Sequence, residues 1–530
     1  MKFPITAGNS ASPSRASQGS GKTDVVSRRS RKHRAAEPLP APAPVVNKPR
    51  LRVIGVIAGV LLVVAAAVLV FGPWQLRRGA ERLPQPPALS AQQKVIEDHL
   101  RTKYATAIET PSSIGAVGPL CLAYHADMFF DLAERCYELA ATLAPDDWRW
   151  TYYHAVIQSE RGGGEALLDN LRIVVRRTPQ FGPAWLRLGE AEFKAGRYAE
   201  AEKAWRTARD LPLTEAPPAS IRHVTEIPLS AYASLGLARA ALVRGDFESA
   251  RSILEDVIRS TPFFGSALRL LAESYRRLGR QSEAERLVYR AGRLPPYTPY
   301  ADPVIDELAR ESRNSIFLLR LASEANLAVN AEWSEFLTRR ALEFDANNPE
   351  VVLKLARVLR TVERNDEALE LFKRYQAMVP GDYQVLAHIG SCLSTMGRLD
   401  EAESYFRKAL QGLDDPVTHF NMALLLALTN RLDEAVREYE KALARDPMHS
   451  DSRTNLAAVL VRQGKLDRAA RELKLLLDYD PENAGARTNY GLVLIQQGHR
   501  AEARGQLEEA LRLDPGLTPA REALTAIRDQ

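Results

Sequence analysis

Cysteine is scarce: three in 530 residues. That excludes a disulfide-dense scaffold and any cluster held by four thiolates. The nine histidines are scattered, and no CxxC, CxxCH, HExxH or GxSxG pattern occurs, which removes the common zinc, haem and serine-hydrolase motifs. Residues 16–23, ASQGSGKT, satisfy a loose phosphate-loop pattern. A working loop needs a hydrophobic strand before it and a helix after it, and the flanks supply neither. No active site, metal or cofactor is therefore expected, and the chain reads as a non-enzyme. Glycine (30) and proline (32) are too few for a collagenous or low-complexity chain.

Charge is unevenly placed. Residues 1–52 hold eleven Lys or Arg against only Asp24 and Glu37, a net +9, so the remainder carries −4 of the overall +5. The basic pI thus describes an arm, and nucleic acid is not an expected partner. Residues 1–50 are rich in Ser, Ala and Pro without apolar periodicity, a composition expected to remain disordered.

One long apolar run follows. Residues 53–72 carry no charge and, as a helix, span about 30 Å, the thickness of a bilayer core. Pro73 ends the run and Trp74 stands where an interfacial aromatic is expected. Eight Lys or Arg at 28–52 outnumber the four at 73–95. This predicts a single-pass membrane protein with residues 51–74 as the spanning segment. Its N-terminus is expected in the cytoplasm and its remainder outside it, in the periplasm if bacterial.

Beyond a linker at 75–113 the sequence repeats with a period of 34. Starts at 114, 148, 182, 231, 265, 315, 349, 383, 416, 450 and 484 align eleven copies. Position 8 of each copy is small in every case, from Cys121 and Ala155 to Ala457 and Gly491. Position 20 is Ala or Ser except at Leu167, and position 15 is Gly in seven copies, Gly196 and Gly397 among them. Two short helices cross closely only where the contact residues are small, a glycine suits a left-handed helix exit, and the frequent proline at position 32 stops the second helix.

This pattern resembles the tetratricopeptide repeat family, whose unit is a helix–turn–helix of this length. The copy with Trp185, Leu188, Gly189, Ala201 and Trp205 carries the resemblance best. It implies an all-α fold, a right-handed superhelical solenoid of about eleven repeats with a continuous core. Repeats are expected at 114–213, 231–298 and 315–517, separated by inserts at 214–230 and 299–314, with a capping helix at 518–530. Prolines 295, 296, 299 and 303 predict a bend followed by one short helix, as surface elaboration, hinge or docking site.

The resemblance also implies protein or peptide partners on a concave face, with positions 2, 5, 6, 9, 12 and 13 of each first helix turned towards them. Position 6 supplies Arg187, Arg320, Lys354, His388, Asn421, Asn455 and Asn489, and position 9 supplies Arg357. Asn offers both donor and acceptor to an extended backbone, and Arg or Lys suits carboxylates. The leading expectation is a membrane-anchored scaffold for protein partners; the alternative is a permanent structural subunit of an envelope, secretion or respiratory assembly. Cys121 and Cys136 are expected to pack as buried thiols, with a disulfide as the other reading if the domain is exported.

Overall fold

The computed structural model describes residues 80–90, 93–212, 227–292, 294–325 and 327–528, all within one compact unit, Val70–Gln530. Among them are twenty-five helices and no strand. Helix α1 (Lys94–Glu109) precedes eleven antiparallel pairs. Five form a first stack: α2 (Ile114–Ala126) with α3 (Phe130–Leu143), α4 (Trp148–Glu160) with α5 (Glu165–Arg177), α6 (Gly182–Lys194) with α7 (Tyr198–Asp210), α8 (Leu229–Val243) with α9 (Phe247–Ser260), and α10 (Gly265–Arg277) with α11 (Gln281–Gly292). A lone helix, α12 (Pro303–Glu311), follows. Six pairs form a second stack: α13 (Ser315–Glu324) with α14 (Leu327–Phe344), α15 (Pro349–Thr361) with α16 (Asn365–Met378), α17 (Tyr383–Thr395) with α18 (Leu399–Ala409), α19 (Pro416–Leu428) with α20 (Leu432–Arg445), α21 (Ser450–Arg462) with α22 (Leu466–Tyr479), and α23 (Ala484–Gln496) with α24 (Arg500–Leu513). Helix α25 (Thr518–Arg528) covers the end.

The small residues sit where the helices of a pair cross. Ala155, Ala272, Ala356 and Ala423 at position 8 and Ala133, Ala250, Ala402 and Ala503 at position 20 are all fully buried. At Gly189 an added Cβ would stand 2.4 Å from the Trp205 indole, and at Gly390 2.8 Å from the Phe406 ring. Glycine there is a steric demand made by the large residue opposite. Three of the position-15 residues that are not glycine are left-handed as well: Met128, Glu363 and Asn430 have φ of 71, 62 and 61°. Asp147, Asn314, Asn348, Asp382, Asp415 and Asn483 each cap a first helix through the side chain.

Cys121 and Cys136 form a disulfide between α2 and α3, which corrects the expectation of two free buried thiols. Both are fully buried, and their places on facing helices of one pair bring the sulfurs together. Cys392 is a buried free thiol.

The core is not one uninterrupted column. Repeats 1 and 2 share a buried cluster with α12, through Val304, Leu308 and Ala309, and with repeat 6, through Phe317, Leu321, Trp333 and Leu337. Repeats 4 and 5 form a separate cluster, and repeats 7–11 with α25 another. Repeat 6 thus packs beside the beginning of the first stack instead of extending it from repeat 5. The cause is the segment 294–314, which turns back along the first stack. At the far end, α11 touches the second stack through a Tyr289 hydroxyl donating to the Met448 carbonyl and an Arg290–Glu482 pair at 3.3 Å.

The localisation expected from sequence is corrected. Among the described residues no helix is long and apolar enough to cross a membrane. The stretch 53–72 on which the single-pass arrangement rested lies outside the described residues, as do the tail 1–50 and residues 213–226 of the first insert.

Candidate functional site

The first helices of successive repeats line one face, and in the first stack that face holds a piece of the chain itself. Residues 294–302 run extended from repeat 5 back to repeat 2, and α12 completes the path to repeat 1. Arg269 of α10 donates to the carbonyls of Leu294, Pro295 and Ala291 at 2.9, 3.0 and 2.6 Å. The Tyr232 hydroxyl of α8 donates to the Thr298 carbonyl at 2.9 Å, and its ring meets Tyr300 edge-on. Arg187 of α6 donates from Nη2 to Asp302 Oδ2 at 3.1 Å and from Nε to the Tyr152 hydroxyl at 2.9 Å. That hydroxyl in turn donates to Asp302 Oδ2 at 2.6 Å, closing a three-membered network around a carboxylate only 4% exposed.

The remainder of the segment is held in the same way. Tyr153 donates to Glu307 at 2.7 Å, Lys103 pairs with Glu311 at 2.9 Å, and Ser312 donates to the Ala126 carbonyl at 2.9 Å. Asp127, at the end of α2, accepts the Arg313 backbone N–H at 2.7 Å. Burial pushes the Asp127 carboxyl up to about 7 against the pull of these donors. The dimensions agree: nine extended residues reach about 30 Å and a nine-residue helix adds about 14 Å, enough to cross five first helices set about 9 Å apart. Prolines 295, 296 and 299 keep the segment extended and out of helix until Pro303 opens α12 at its first turn.

This arrangement separates the sequence-predicted residues into two sets. Arg187 is committed to the chain's own Asp302. The other seven lie in the second stack. Arg320 lies over the Phe317 ring and within 4 Å of Glu160 and Glu324. Asn421 Nδ2 donates to Ser391 Oγ at 3.4 Å, bridging α19 to α17, and Asn455 Nδ2 returns to the Asp451 carbonyl of its own helix at 2.8 Å. Asn489 is half-buried on α23.

Lys354, Arg357 and Arg360 are half-buried on α15, at positions 6, 9 and 12. Arg357 Nη2 donates to Gln384 Oε1 of α17 at 3.3 Å; its Nε, the Nε of Arg360 and the Nε2 of His388 are buried without a partner. Burial, then the charges of Arg360 and Arg357, pushes the His388 imidazole down to about 4, so the ring is neutral at pH 7. Burial, then Arg357, also lowers the Lys354 ammonium. The His388 ring stacks on Phe372. On the neighbouring α19, Val417, Leu424 and Leu428 are 52, 37 and 63% exposed. They occupy positions 2, 9 and 13, one stripe of the helix, and applying the groove positions to this repeat would have found them.

Elsewhere the polar residues serve packing. His125 is buried, faces the Tyr137 hydroxyl at 3.1 Å and is pushed by burial down to about 3. His419 bridges Glu438 and Asp414 at 2.6 and 2.9 Å. Among the described residues no group of three His, Cys, Asp or Glu is placed to hold a metal.

Two models of the tetratricopeptide repeat match the sequence, one at residues 168–212, 228–299 and 353–415 and the other at 426–482 and 460–527, together more than half of the chain. The chain belongs to the tetratricopeptide repeat family. No curated protein matches it. Among solved structures it is similar to YrrB, described as a tetratricopeptide protein with an unusual peptide-binding site, at 20% identity over 36% of this chain and 97% of that one, with a TM-score of 0.30. Pseudomonas aeruginosa PilF is matched at 20% identity over 40% and 97%, TM-score 0.35. Yeast Tom70 is matched at 16% over 78% and 95%, TM-score 0.34.

Proposed function

We propose that the chain is a scaffold without catalysis of its own, which captures an extended segment of a protein partner along the first-helix face of repeats 6–11. The observation that supports this most directly is internal. The equivalent face of repeats 2–5 holds residues 294–302 in extended form through side chains at positions 2, 5 and 6. The same register in the second stack presents Arg320, Lys354, His388, Asn421, Asn455 and Asn489, with Arg357 beside them. Asparagine at three successive position-6 sites offers paired donors and acceptors to a peptide backbone, and neighbouring helices about 9 Å apart match a step of about three extended residues.

The test uses the full chain and a displayed library of random short peptides. Peptides selected on the wild-type protein should lose at least about tenfold in affinity against the Asn421→Ala/Asn455→Ala/Asn489→Ala variant, the scale of two or three lost hydrogen bonds. Unchanged binding to a variant with unaltered unfolding would remove this face as the capture surface.

A further inference from the structure

We propose that the two stacks are the arms of a clamp, hinged where repeats 1, 2 and 6 share a core and held shut at the far end by a polar latch between α11 and the loops before α21 and α23. The hinge stands without the capture reading above; its consequence, that the latch governs access to the first-helix face of repeats 6–11, rests on that reading.

Each arm is continuous from base to tip. In the first, Trp185 packs against the cluster of repeats 1, 2 and 6 and against the one that follows it, and Tyr232 carries the packing on into repeats 4 and 5. In the second, Leu342 packs against both the base cluster and that of repeats 7–11. Between the arms the apolar joint is at the base. Among the described residues, the buried cluster of repeats 4 and 5 and that of repeats 7–11 share no side chain. The base is closed as well by Asp127, which accepts from the Arg313 backbone N–H and the Ser312 hydroxyl.

The tips meet through exposed polar groups instead. The Tyr289 hydroxyl donates at 2.7 Å to the Met448 carbonyl, in the loop before α21. Arg290 pairs at 3.3 Å with Glu482, in the loop before α23, whose side chain is 66% exposed. Val288 and Met448 remain 43 and 36% exposed beside them, so the contact has not closed into a core. Parting a buried apolar joint exposes its whole area to water, whereas an exposed ion pair contributes little and is screened by salt. The base is therefore the fixed end and the tips the releasable one. Repeat 10 stands about 36 Å from repeat 6, at about 9 Å per first helix, so a rotation of about 15° parts the tips by about 9 Å. That rotation bears on the first-helix face of the second stack, which begins turned towards the first: Arg320 of α13 lies 3.7 Å from Glu160 at the end of α4.

The experiment measures the arm angle on the full chain by pulsed electron resonance, in a Cys392→Ala background that keeps the disulfide. Spin labels at the exposed positions of Ser282→Cys on α11 and Lys474→Cys on α22 report the tips, and Thr142→Cys on α3 with Glu370→Cys on α16 report the base. Tyr289→Phe/Arg290→Gln removes the latch, and Arg290→Glu/Glu482→Arg rebuilds the ion pair in reverse. Unlatching should raise the share of a tip distance longer by about 9 Å at least about threefold and leave the base distance unchanged. Sodium chloride at about 1 M should act in the same direction on the wild type, and the reversed pair should restore the wild-type distribution. A tip distance that neither the variant nor salt lengthens would overturn the clamp, and so would an equal change at the base, the mark of general loosening. A peptide selected on the wild type should associate faster with the unlatched variant, by the ratio of the open fractions. Longer tip distances without faster association would overturn the access consequence and leave the hinge, whereas the absence of any peptide dependent on Asn421, Asn455 and Asn489 would overturn the capture reading alone.

Discussion

The two stacks are built from one repeat and end in opposite states. In the first, the groove is filled by residues 294–311, the position-6 arginine has its carboxylate, and a disulfide ties repeat 1 together. In the second, Arg320 at the same register lies within 4 Å of Glu160 and Glu324, and Arg357, Arg360 and a neutral His388 keep buried nitrogens without partners. The difference is not in the fold of the repeats, since both keep the small crossing residues and the left-handed exit. It lies in whether an acidic extended segment is supplied in cis. A groove of this kind binds an extended segment as part of its own structure, and among the described residues only the first stack holds one.

The largest effect should come from emptying the filled groove. Asp302→Ala removes the acceptor shared by Arg187 and Tyr152 and leaves a half-buried guanidinium without its counter-charge, an expected loss of about 3–5 kcal/mol. Hydrogen exchange should quicken in α4, α6 and α12 while α15–α24 keep their protection; equal loosening in both stacks would contradict the comparison. Next in size is the disulfide. Its 15-residue separation gives about 3 kcal/mol by loop entropy, lost in Cys121→Ala/Cys136→Ala or on reduction. The unfolding of repeats 7–11 should be indifferent to both treatments.

Asp127 gives the same seam a pH signature. Its folded pKa is raised to about 7, so the folded form binds the proton more tightly than the unfolded chain. The stabilising term is complete below about pH 4 and is lost as pH rises through 7. Asp127→Asn, which does not titrate, should therefore gain stability relative to the wild type between pH 4 and 7. A difference that stays flat across that range would show the carboxyl to be ordinary.

The sequence made the all-α repeat fold legible because its signals are local and recur. Ala at positions 8 and 20 and Gly at position 15 report close crossing and helix exit within a single pair. The filled groove was not legible for the converse reason. Its contacts join residues 115 and 150 positions apart, Arg187 and Tyr152 to Asp302, and an extended proline-rich run has no period to read. Arg187 and Arg320 occupy identical register positions, so nothing local separates the arginine that holds Asp302 from the one that lies beside Glu160 and Glu324. The cysteines were ambiguous in sequence because a small residue at position 8 serves helix crossing equally well as thiol or disulfide.

The smallest predicted effect separates the stacks by sign. Position 15 is left-handed in both, and an L side chain there costs about 1–2 kcal/mol that glycine does not incur. Glu363, at φ 62°, is exposed at the turn between α15 and α16. Glu363→Gly should relieve the strain and, after the added freedom of the unfolded chain is subtracted, stabilise by about 0.5–1 kcal/mol. Met128, at φ 71°, holds the equivalent turn in the first stack, but its side chain packs against the core shared by repeats 1, 2 and 6. There the lost burial, about 1–2 kcal/mol for a partly covered methionine, should equal or exceed the relieved strain, so Met128→Gly should be neutral or destabilising. Paired urea unfolding curves of the two variants decide the matter. If Met128→Gly stabilised as much as Glu363→Gly, the methionine would contribute nothing to the core that joins repeat 6 to repeats 1 and 2.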